Sequence, residues 1–302
     1  VKLLRQRANI LALIRTFFAQ RDFLEVETPL LVPSPGLDLH LEAFEVGTRS
    51  AARYLITSPE YQMKRLLSEG HQRIFQLAKC FRKGELGQHH NPEFTMLEWY
   101  RANAGMDDVV KDTEELVALV SSGRVVLGDR TIDTRAPIER FTVCEAFERF
   151  AGIGEDETLD LAANDEERYF QVMVDSVEPG IAALDHAVFL VEYPASQASL
   201  ARKKPDDPRV AERFELYVGG IELCNGFGEL IDPVEQRARL ERDRAERTAR
   251  GLPVYPIDEK FVNALSHVPP SGGNALGVDR LVALVCGGTE IRRVMAFTTE
   301  EL

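Results

Sequence analysis

The stretch ERFELYVGGIELCNGF (212–227) constrains this chain more than any other, because two runs of strand-forming residues meet at Gly219-Gly220. A two-residue Gly-Gly loop admits the positive φ angles of a tight antiparallel hairpin. With the glycines as the turn, Tyr217 falls opposite Glu222, and Glu215 lies two residues further along the same face. Two carboxylates then become diagonal neighbours. Like charges so placed repel unless a cation lies between them, and hard oxygen ligands suit magnesium, which would bring nucleotide phosphates with it. The alternative is that one glutamate points to solvent. Glu229 follows a GFG bend, where glycine permits backbone geometry that other residues avoid.

Around the hairpin, other elements can be read from periodicity. Leu3, Leu4, Ile10, Leu11, Ile14, Phe17 and Phe18 recur at helical spacing, so the chain opens with an amphipathic helix closing near Arg21. EVETPLLVPSPG is extended, since prolines at 29, 33 and 35 forbid a helix. A second helix is predicted to start at Ser58, with Ser58 as N-cap, Pro59 at the first helical position and Glu60 in the first turn. Residues 103–190 are mixed and say little. A charged helix covers roughly 234–250, and SGGNALGVDRLVALVCGG closes the chain as a Gly-rich strand and a short helix. This order lacks the alternation of a doubly wound fold, so it predicts an α+β fold, an antiparallel sheet flanked by helices. No GxGxxG or GxxxxGK[ST] occurs, so a nucleotide would need another kind of site.

In EFTMLEWY, period-2 alternation places Phe94, Met96, Glu98 and Tyr100 on one face. An aromatic, a carboxylate and a phenol in line make a candidate binding floor, although a half-buried strand with a tolerated Glu has the same pattern. FQLAKCFRKGELGQHHNP reads as its partner strand followed by a polar loop. Arg82 at that strand end would suit a phosphate, or simply solvent.

Composition narrows the classes. The 302 residues hold 36 Lys plus Arg against 49 Asp plus Glu, a net charge of −13, which argues against nonspecific polyanion binding. Hydrophobic residues at 44% predict a packed core, and the length allows one large domain or two. Cys80, Cys144, Cys224 and Cys286 form no CxxC pair, and no apolar run is long enough to span a membrane. The expectation is a reducing, cytoplasmic compartment with neither signal peptide nor anchor.

Four stretches together resemble the catalytic core of class II lysyl-tRNA synthetases: SPEYQMKRLL (58–67), FR followed by HHNPEFTMLEWY (81–100), FELYVGGIELCNGFGEL (214–230) and ALGVDRL (275–281). All three class II motifs are represented, with Pro29 of ETPLL as the motif 1 proline. The resemblance runs from about residue 3 to the end, implying one catalytic domain over 1–302 and no anticodon-binding OB domain. YPASQASLA (193–201) and GLPVYPID (251–258) resemble the stand-alone branch of this family, which aminoacylates elongation factor P.

That resemblance implies ATP-dependent activation of lysine or (R)-β-lysine and transfer to a lysine of elongation factor P, with magnesium, without tRNA and in a homodimer built on motif 1. Matched position by position, Arg82 would contact the α-phosphate and adenine would lie between Phe94 and Arg280. Asn91, Glu222, Leu223 and Gly277 match further ATP contacts, and Glu215 and Glu222 the magnesium carboxylates. Ser58 borders the amino-acid pocket, where Glu60, Asn225, Glu229 and Tyr100 match substrate contacts. Glu229 and Tyr100 would hold the distal ammonium. Arg82 and Arg280 would be the catalytic pair, offsetting charge on the phosphate.

Two positions depart from the family pattern. Gly84 stands where a carboxylate is usual and Glu85 follows, leaving the ATP role of Glu85 open; Ala275 stands where the synthetases commonly have Gly. A tRNA-charging enzyme without its anticodon domain and a non-catalytic amino-acid sensor remain as rivals.

Overall fold

The Gly219-Gly220 hairpin stands in an eight-stranded sheet in the computed structural model, which describes residues 2–47, 52–198 and 200–302. Ser199, within the 193–201 stretch, lies outside the described residues. In chain order the strands are β1 (Leu24–Glu25), β2 (Arg73–Phe81), β3 (Glu93–Ala102), β4 (Glu139–Thr142), β5 (Val188–Pro194), β6 (Val210–Val218), β7 (Ile221–Gly228) and β8 (Ser271–Gly277). Side by side they run β1-β2-β3-β8-β7-β6-β5-β4.

The central strands pair antiparallel, as predicted. The outermost pairs, β1 with β2 and β4 with β5, are parallel, so the sheet is mixed. Both exceptions join strands separated by long connections that carry helices, which is what a parallel pairing requires.

Gly219 and Gly220 take φ of 59° and 83°, the left-handed pair that a tight hairpin turn needs. Tyr217 pairs with Glu222 as the spacing predicts. Beyond them Leu216 pairs with Cys224, leaving Leu223 as an extra residue, so Glu215 faces Asn225.

Six helices matter for the site: α1 (Leu4–Ala19), α2 (Glu60–Ser68), α3 (Met106–Ser121), α4 (Pro233–Ala249), α5 (Glu259–Ala264) and α6 (Val278–Val285). The apolar stripes of α1, α3 and α6 pack on one face of the sheet, in a core that includes Phe18, Val117, Leu281, Phe75, Leu97 and Trp99. Phe18 stacks on Phe75 at 4.7 Å between ring centroids. Burying each such side chain contributes roughly 1.5–3 kcal/mol, which fixes this face as the structural one.

The other face carries α2, α4 and α5, through Tyr61, Met63, Leu240 and Phe261 around Tyr100. The alternation in β3 therefore holds: Leu97 and Trp99 enter the first core, while Phe94, Met96 and Tyr100 face the opposite side. Helix α2 starts at Glu60, one residue later than predicted, with Pro59 as N-cap. The Ser58 hydroxyl still caps it, accepting from the Glu60 backbone N–H at 3.0 Å. Among the described residues no helix is long and apolar enough to cross a membrane.

Candidate active site

Between the polar face of β3, β7 and β8 and the starts of α2 and α6 lies a cavity of about 240 Å³. Its walls bring together most of the residues singled out in the sequence. Arg82, Glu85, Asn91, Phe94, Gly277 and Arg280 border it, as do Ser58, Glu60, Glu222, Leu223 and Asn225. Glu215, Glu229 and Tyr100 lie behind the walls.

The arginines are held by their neighbours. Arg82 donates from Nε to Thr57 O at 3.3 Å, lies 3.6 Å from Glu85, and its guanidinium stands 5.1 Å from the centroid of the Phe94 ring. Glu85 thus reaches the cavity although Gly84 occupies the usual carboxylate position. The cation resting near Phe94 is Arg82, whereas Arg280 is turned toward β7 and the 89–90 loop. Arg280 donates to Glu222 O at 2.9 Å, to Glu222 Oε2 at 3.4 Å and to His90 Nε2 at 2.5 Å. Burial and the adjacent Arg280 lower the His90 pKa, so a neutral imidazole accepts that bond.

Asp279, next to Arg280, takes Thr95 N at 2.7 Å and Arg7 Nη1 at 2.5 Å, tying α1, β3 and α6 together at the arginine's base. Asn91 borders the cavity, but its Nδ2 donates to Glu93 O at 2.6 Å and its Oδ1 accepts from Thr299 N at 2.9 Å. It pins the loop to the C-terminal segment.

At the α2 start the site becomes acidic. Glu98 is fully buried and receives the Ser58 hydroxyl at 2.6 Å and the Tyr100 hydroxyl at 2.9 Å. Burial and the nearby Glu60 push its carboxyl up to about 8, against the two hydroxyl bonds. Lys64 Nζ lies 2.6 Å from Glu60 and 2.5 Å from Glu229. Burial alone would lower that ammonium's pKa, but Glu229 and Glu60 hold it above its usual range. Lys64 thus pairs with Glu60 and Glu229, and the buried Glu98 lies beside them, an acidic nest suited to a second ammonium. Gly273 makes the close packing possible: a Cβ there would lie 2.3 Å from Tyr100 Cε1 and 2.4 Å from Glu229 Oε1.

The hairpin carboxylates interact without sharing the cavity. Glu215 Oε1 accepts from Arg213 at 2.6 Å, and Oε2 accepts from Tyr193 at 2.6 Å and Tyr217 at 2.8 Å. Glu222 keeps 40% of its side chain accessible, but to the cavity; enclosure by the walls pushes it up to about 7, with Glu215 adding repulsion. For a magnesium ion the donor set fits at Glu222, whose oxygens are loosely held, with Glu215 behind it supplying field. Among the described residues no cluster of three or more His, Cys, Asp or Glu is arranged for a metal. Sequence reasoning missed Lys64, His90 and Asp279, whose partners come from distant elements.

This sheet and cavity define a class II synthetase core. The family model described as tRNA synthetases class II (D, K and N) matches residues 1–301, and the chain belongs to that family. Among curated relatives it is 44% identical to a protein of Erwinia tasmaniensis, 43% to one of Klebsiella pneumoniae and 41% to one of Hamiltonella defensa. Each alignment covers 98% of this chain and 95% of the relative, and each relative bears the name "Elongation factor P--(R)-beta-lysine ligase". The resemblance read at 193–201 and 251–258 is borne out by these relatives.

Proposed function

We propose that the protein uses ATP to activate lysine or (R)-β-lysine as an aminoacyl-adenylate and passes the acyl group to the ε-amino group of a lysine on elongation factor P, with no tRNA involved. The observation that carries this reading is one cavity holding two arginines and an aromatic ring and, against its wall, a cluster of three acidic side chains with one ammonium paired to two of them. The relatives' shared name supports the choice of acceptor.

In this reading the lysine carboxylate, already an anion, attacks the α-phosphorus without a general base. Arg82 and Arg280 offset the charge that develops on the phosphate oxygens while the walls hold nucleophile and leaving group in line. Adenine would stack on Phe94, and Arg280 would have to turn from Glu222 and His90 to cover it; Leu223 and Gly277 contact the nucleotide, and Glu85 and Asn91 shape the loop around it. Ser58, Glu60 and Asn225 line the amino-acid end, and Tyr100, Glu98 and Glu229 supply its negative field. Magnesium, when bound, would add positive charge at the phosphates, and Glu222 would hold it, with Glu215 behind adding negative field.

Residues 1–302 form one catalytic domain in this proposal, and a translation factor as acceptor puts the reaction in the cytoplasm. Exchange of labelled pyrophosphate into ATP is expected with either lysine isomer. Failure of both isomers would contradict the reading.

A further inference from the structure

Part of the cavity is left over when the arginines and the acid nest are accounted for. It is bordered by Asp38, Tyr61 and Asp243, with Leu37 and Leu240 as apolar walls. The 33–38 segment is anchored there by its backbone: Thr57 Oγ1 donates to Pro35 O at 2.9 Å, and the buried Arg247 donates to Asp38 O. Its carboxylate is thereby presented rather than consumed. Asp38 Oδ1 accepts only the His40 backbone N–H, at 2.8 Å, and no ion pair engages it among the described residues.

Asp243 pairs with Arg242 at 3.8 Å, on a side chain that is 69% exposed, and Arg239 adds a weaker positive field. Burial pushes the Asp243 carboxyl up to about 6, with Arg242 pulling it back and Asp38 adding repulsion. Tyr61 is an independent observation. It is only 8% exposed, its ring stacks on Phe261 at 4.0 Å, and its hydroxyl, beside Gly36, has no hydrogen-bond partner among the described residues.

Two under-neutralised carboxylates and an unpartnered phenol oxygen offer three acceptors, and a primary ammonium has three N–H donors. The leucines suit the methylenes behind such an ammonium. We propose that Asp38, Tyr61 and Asp243 form the entry site for the acceptor protein's lysine, separate from the nest that takes the activated amino acid. The inference rests on the transfer reading above.

The test compares Asp38→Asn, Asp243→Asn and Tyr61→Phe with wild type in three assays on the full chain. These are lysine-dependent pyrophosphate exchange, capture of the adenylate by hydroxylamine, and steady-state acylation of purified elongation factor P. Hydroxylamine is neutral at pH 7 and needs no ammonium site, and retained exchange certifies folding. The expected result is exchange and hydroxylamine capture within about twofold of wild type, with acceptor kcat/KM down at least tenfold in either Asn variant and mainly through KM. Asp38→Glu should recover most of the loss. Unchanged acceptor kinetics would overturn the entry site, and so would a parallel rise in the lysine KM of exchange, which would assign the arm to the amino acid. If wild type exchanges pyrophosphate but leaves elongation factor P unmodified, the transfer reading itself fails and the entry site falls with it.

Discussion

Glu98 receives two hydroxyl bonds, yet burial and Glu60 keep its carboxyl protonated up to about pH 8. A substrate ammonium entering the nest would lower that value and expel the proton, so binding must strengthen as pH rises toward 8. The lysine KM in pyrophosphate exchange is expected to fall by up to about tenfold per pH unit between pH 6.5 and 8, for one proton displaced. In Glu98→Gln the KM should be high and its pH dependence shallower, with the remainder due to Glu229, which burial also pushes up to about 8. A flat wild-type profile would remove Glu98 from the binding field. The sequence displays Glu98 on the floor of β3, because strand alternation is local. It does not display Lys64 as the counterion of Glu229, since that pairing exists only once α2 meets the chain leaving β7.

At the scale of elements, β8 has to pass close under the acid nest, and Gly273 leaves that room. Gly273→Ala would drive a methyl into Tyr100 and Glu229, at a cost of about 1–3 kcal/mol in stability. Its lysine KM should rise at least tenfold while its ATP KM moves little; an equal rise in both would mean that the sheet as a whole had shifted. The hairpin and the β2–β3 pair were legible because turn chemistry and alternation are short-range signals. The parallel edges were not, as they depend on where long connections return the chain. The extra residue at Leu223 also escaped the spacing argument and moved Glu215 opposite Asn225. The start of α2 was legible to within a residue, but α3, α5 and the helices between 143 and 182 were not, since the mixed middle of the chain carries no clear period and α5 is too short to show one.

For the whole molecule, buried acids with raised pKa values set the pH response. Glu98 in the folded state holds its proton up to about pH 8, whereas an unfolded Glu releases it near 4.3. The folded chain therefore binds more protons than the unfolded chain between those values. The stability this provides is fully present below pH 4.3 and is lost as pH rises through 8. Exposed groups held low, such as Asp133 and Glu301 at about 2, add no slope in this window. Denaturant midpoints of the ligand-free protein should decline from pH 5 to pH 8, and Glu98→Gln should remove up to roughly 1.4 kcal/mol per pH unit of that decline. A wild-type slope of opposite sign would contradict the burial argument.

Leu24, Leu30 and Leu31, at 52%, 37% and 44% exposure, leave apolar surface beside Pro29, in keeping with a proposed homodimer. Sedimentation at micromolar concentration should give the mass of two chains; a monomer would refute it.

Whether protein or tRNA accepts the acyl group is decided by one incubation. Enzyme, ATP and each lysine isomer are combined with purified elongation factor P in one tube and with tRNA in another, and intact masses are recorded. Elongation factor P is expected to gain one lysyl residue, mapped to a single lysine side chain, while tRNA gains none. Acylated tRNA beside unmodified elongation factor P would contradict it.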